Sequence, residues 1–134
     1  MSDLSITAAS VAAGTSAVVN DVTSGATITA GQLCYLDSSN QAQLTDADAV
    51  GTASITGIAL NGASSGQPIR LQLAGNVNPG ATVAVGTFYV GSTTPGAIAL
   101  KTDLGSGDFV SFFGVGTTSS NILIGLVNSE VAIP

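Results

Sequence analysis

The chain has 134 residues, of which 45% are hydrophobic, 4% aromatic and only 7% charged, a composition that suits one domain able to build a core without disulfides or metals. Its net charge of −6, with Arg70 and Lys101 as the only basic residues, excludes a nucleic-acid partner, because two cations release too few counterions from a phosphate backbone. High hydropathy excludes disorder, and polar residues or Gly break every apolar run before the ~18 residues of a membrane-spanning helix.

Residues 1–20 begin with MSDLSITAAS, which lacks the basic stretch of a signal peptide. Cytoplasmic synthesis is the expectation. Their small side chains and weak alternation predict an N-terminal arm or a peripheral strand, since Ala and Ser return little burial against the entropy of ordering the backbone. Residues 21–134 read as a single β-domain. ATITAGQLCYL (26–36) predicts two short strands broken at Gly31. Cys34, the only cysteine, sits in the second of them and reads as a buried small hydrophobe. In 44–54, Asp46 is placed to cap a turn or two of helix.

TGIALNGASSGQPIRLQL (56–73) predicts strand, loop and strand, with a turn signal at Asn61-Gly62. In its second strand Ile69, Leu71 and Leu73 share one face, and Arg70 and Gln72 share the other. VNPGATVAVG (77–86) then matches VTSGATITAG (22–31) at an offset of 55. In each copy a Tyr-bearing strand, a polar turn, a second strand and an Asp follow. The internal repeat therefore covers 22–50 and 77–105. DFVSFFGVG (108–116) and NILIGLV (121–127) are the most apolar segments. Ile122, Leu123, Ile124 and Leu126 cannot all face inward from one strand of a half-exposed sheet. Abundant Gly and β-branched residues oppose helices. The predicted fold is all-β: a compact β-barrel or sandwich of short antiparallel strands, built from two related lobes.

The chain contains no histidine, which removes the Ser-His-Asp and Cys-His pairs and the commonest zinc ligand. Asp46-Ala47-Asp48 matches a D-x-D metal motif but sits in a turn-prone segment. Asp37 to Asp48 has the length of a calcium loop, yet Ala42 and Asp48 stand where Gly and Glu are needed. Gly105–Phe109 carries no phosphate-loop Lys. Tyr35, Phe88 and Tyr89 have the chemistry to stack on a sugar, although packing is the ordinary use of aromatics in apolar strands. The reading is a non-enzyme with no catalytic, metal or cofactor-binding residue.

GQLCYLDSSNQAQLTDADA, GIALNGASSGQPIRLQLAG and GATVAVGTFYVGSTTPGAIAL together resemble the small capsid decoration, or cement, proteins of tailed bacteriophages, over roughly residues 25–125. The resemblance implies a virion structural protein on the capsid exterior. It would be a homotrimer without cofactors that binds the major capsid protein at the seams between subunits. Similar segments occur in phage fibre and tail-knob modules, so a module binding a host-surface glycan is the alternative. The apolar segments 109–115 and 122–127 are the expected contributors to the trimer interface or the core beside it, with Phe109, Phe112, Phe113, Ile122, Ile124 and Leu126 as the named residues.

Overall fold

Among the described residues, alternating β-branched and polar residues, punctuated by Gly at positive φ, give ten strands and two single-turn 3-10 segments at Ala8–Ser10 and Lys101–Asp103. The computed structural model describes residues 3–134, apart from the side chain of Glu130. In chain order the strands are β1 (Val11–Ala13), β2 (Val18–Ser24), β3 (Leu33–Leu36), β4 (Gln41–Leu44), β5 (Gly57–Ala59), β6 (Pro68–Pro79), β7 (Phe88–Gly91), β8 (Ile98–Leu100), β9 (Phe109–Gly116) and β10 (Ile122–Ala132). The fold is all-β and has two related lobes.

In the first lobe, β2 pairs with β4, β4 with β3, β3 with β5, β5 with β6, and β6 again with β2. The pairings form a closed ring. Its interior holds small side chains, Cys34, Ala42, Ala59 and Ala63, beside Ile28, Ile69 and Leu71. A ring of so few strands leaves little internal width, and this accounts for the Ala-rich, aromatic-poor composition. Leu33 and Ile58 point out of the ring, into a second core with Val77, Val83, Tyr89, Ile98, Phe113, Ile122 and Ile124. β5 and the first half of β3 are therefore buried on both faces.

The second lobe uses β6, β10, β9, β7 and β8 in that order. Its β7 lies 55 residues beyond β3, and both open a hairpin, β3–β4 and β7–β8. β6 serves both lobes. Its first half pairs with β2 and β5, and its second with β10 and β1. The strand turns between lobes at Gly75, whose φ of +86° brings its α-carbon against the Ser16 carbonyl. Gln72 is fully buried at this corner and donates its amide to the Ala74 and Asn76 carbonyls at 3.0 and 2.8 Å.

Several local expectations change. β6 and β10 span 12 and 11 residues, so not every strand is short. β2–β4 is a parallel pair in an otherwise antiparallel set. The segment before Gly31 contributes a single bridge, Ile28 to Ala63, and no strand. Asp46 caps no helix: its Oδ1 accepts the Asp48 N–H at 3.0 Å and closes a turn. Of residues 1–20, expected as an arm or a peripheral strand, residues 1 and 2 lie outside the described residues, and the rest take the peripheral-strand course along their own chain. β1 pairs with β6, Thr7 N–H donates to Gly80 O at 2.7 Å, and Leu4 N–H donates to Ile98 O at 2.8 Å. Backbone hydrogen bonds supply what the small side chains lack in buried area.

Candidate association face

β7, β9 and β10 lie side by side, and their alternation, reset by register shifts between Tyr89 and Val90 and between Ile124 and Val127, sorts apolar side chains between two faces. Tyr89, Phe113, Ile122 and Ile124 enter the core. The other face carries Phe88, Phe112, Val115, Leu123 and Val127. The register aligns them in rows. Val115 stands opposite both Phe88 and Leu123, and Phe112 stands opposite Val127. Phe88 and Phe112 meet edge to face, with ring centroids 6.3 Å apart and planes at 77°.

Gly125 interrupts the outer row of β10, and a side chain there would meet nothing. The result is an open groove of about 370 Å³, lined by those five side chains together with Gly114, Ile124 and Gly125. No lining residue is ionisable or carries a polar side chain. Phe88 is 61% exposed, Val127 57% and Leu123 41%, whereas a large contiguous apolar patch on a soluble protein ordinarily marks a contact site.

The six residues named from the sequence separate. Phe113, Ile122 and Ile124 are core residues, and Phe112 lines the groove. Leu126 is half-buried against the core, and Phe109 is half-buried at the start of β9. Val115, Leu123 and Val127 complete the face from within the two expected segments, and Phe88 joins it from outside them. A signal existed in β10, where Leu123, Gly125 and Val127 alternate with Ile122, Ile124 and Leu126.

The groups considered for chemistry are engaged elsewhere. Cys34 is buried, and desolvation pushes its thiol up from 9.0 to about 12. Asp37 accepts hydrogen bonds from Gln43 Nε2 and from the backbone N–H groups of Gln41 and Ser39. These bonds hold its carboxyl below the usual range, the Gln43 bond contributing most. The Asp46 carboxylate raises the pKa of Asp48. Tyr89 is buried, its Oη accepting the Ala84 N–H at 2.9 Å. Among the described residues no three His, Cys, Asp or Glu side chains gather as a metal site, and no helix is long and apolar enough to cross a membrane. No protein-family model matches the chain, and no curated protein matches it significantly.

Proposed function

We propose that this chain is a virion structural subunit that decorates and stabilises a phage capsid, binding the major capsid protein at inter-subunit seams as a homotrimer. The observation that carries the proposal is the outward apolar groove on β7, β9 and β10. Permanent interfaces are more apolar than ordinary surfaces and depleted in charge at their centre, and this face has both properties. The likeness of segments 31–49, 57–75 and 80–100 to decoration proteins supplies the capsid as the setting. Simultaneous attachment of three subunits multiplies modest contacts into high avidity. The glycan-binding alternative loses one of its three aromatic platforms, because the Tyr89 ring is inside the core.

The test has two parts. Light scattering of the purified protein should give a trimer mass at micromolar concentration, and Val127→Asp should shift it to monomer with the circular dichroism spectrum unchanged. Added to undecorated expanded heads, the protein should give extra density at regular lattice positions. A monomer in the first experiment overturns the trimer. Heads that stay bare in the second overturn the capsid role.

A further inference from the structure

The two lobes correspond strand for strand. β2 matches the end of β6, β3 matches β7, β4 matches β8, β5 matches β9, and the start of β6 matches β10. Four of the five pairings that close the first lobe recur in the second: β7–β8, β7–β9, β9–β10 and β6–β10. The fifth does not. β2 pairs with β4, but β6 and β8 do not pair. The second lobe is therefore left with a seam.

The N-terminal segment lies in that seam. Its β1 pairs with Val77–Pro79 on one side, and Leu4 N–H reaches Ile98 O of β8 on the other. Leu4 and Ile6 pack against the core beneath. Open clefts flank the segment on the surface. One cleft of about 290 Å³ borders Leu4, Ile6 and Ala8, and another of about 210 Å³ borders Asp3, Leu4 and Ser5. β1 and β2 run along the same strand, β6, so the segment separates from the body by torsional change in residues 14–17, with loss of the hydrogen bonds that Gly14 and Thr15 share with Asn76. Ser16 within that link has a φ of +59°, a conformation that disfavours a residue with a side chain.

We infer that the seam of the second lobe is a strand-acceptor site, and that residues 3–13 of a second copy of this chain occupy it in exchange for its own. The contacts of residues 3–13 are the same in cis and in trans, so exchange costs only the separation of a short strand with its link bonds and the loss of a free molecule. Higher protein concentration favours the exchanged form. Relief of the Ser16 conformation in an extended link favours it too. The inference does not depend on the capsid reading, since it concerns a different part of the surface.

Ala12 and Asn78 are directly paired across the seam. A chain carrying only Ala12→Cys is mixed at high concentration with a chain carrying only Asn78→Cys, and the mixture is oxidised. Both also carry Val127→Asp, so that the apolar face does not bring them together. The native Cys34 is buried. A non-reducing gel should show a covalent heterodimer at several-fold the yield obtained when Asn78→Cys is replaced by Thr118→Cys, an exposed loop position. The double variant Ala12→Cys/Asn78→Cys, oxidised in dilute solution, should close within one chain and stay monomeric. Equal heterodimer yields overturn the inference. So does a double variant that closes in cis while the mixed single variants stay uncrosslinked, and so does a double variant that fails to close.

Discussion

Cys34 lies inside the ring of the first lobe, where desolvation lifts its thiol from 9.0 to about 12. In the unfolded chain the same thiol ionises near its ordinary value. Between pH 9 and about 12 the unfolded state has therefore lost a proton that the folded state keeps, and stability falls as pH rises, by about 1.4 kcal/mol per unit. Denaturant midpoints of the native chain and Cys34→Ala, compared at pH 8, 10 and 11, should diverge, with the native chain losing more. Asp37 has the opposite sign. Its carboxyl is held below 3.8, so its contribution is present above that value and is lost as pH falls through the lower, folded-state value. Asp37→Asn should flatten the acid limb of the stability curve, read by the same midpoints. The burial of Cys34 was legible from its apolar neighbours. The role of Asp37 was not, because it depends on the turn placing Ser39, Gln41 and Gln43 around one carboxylate.

β6 shows why element boundaries were harder to read than element types. The alternation of 68–73 announces a strand that stops at Leu73. In the structure the strand continues to Pro79, with Gly75 supplying a bend at positive φ against the Ser16 carbonyl. Gly75→Ala should cost at least about 2 kcal/mol, combining an unfavourable φ with a backbone clash. Gly66→Ala, at a φ of +89° with nothing nearby, should cost only the φ part, about 1 kcal/mol. Urea melts of the two variants separate these contributions, and equal losses would mean that the corner is not tightly packed. The outer row of β10 was half legible. The sequence shows that ILIGLV has too many apolar residues for one buried face, but the choice of Leu123 and Val127 as the exposed ones depends on the register with β9. The position of β1 left no pattern, because its chief partner is the backbone of β6.

The two lobes were visible as a repeat at an offset of 55, since both copies keep the Gly, Ala and Thr positions ahead of their hairpins (Gly25/Gly80, Ala26/Ala81, Thr27/Thr82 and Gly31/Gly86). Ring closure was not visible, because pairing between distant strands leaves no local signature. Sharing β6, and burying Leu33 and Ile58 of the first lobe in the core of the second, couples the lobes in one transition. Ile58→Ala should lower stability by about 2–5 kcal/mol and shift the whole calorimetric peak. A second peak, or a first lobe melting alone by near-ultraviolet dichroism, would show that the lobes are independent. The shared strand also decides how the molecule carries a mechanical load. A pull that draws the lobes apart along β6 runs through its covalent backbone, and slides β2, β5 and β10 lengthwise against it. Their hydrogen bonds then bear the load together, in shear, instead of opening one after another like a zip. The joint between the lobes is a tie rod, and it fails only when many bonds rupture at once.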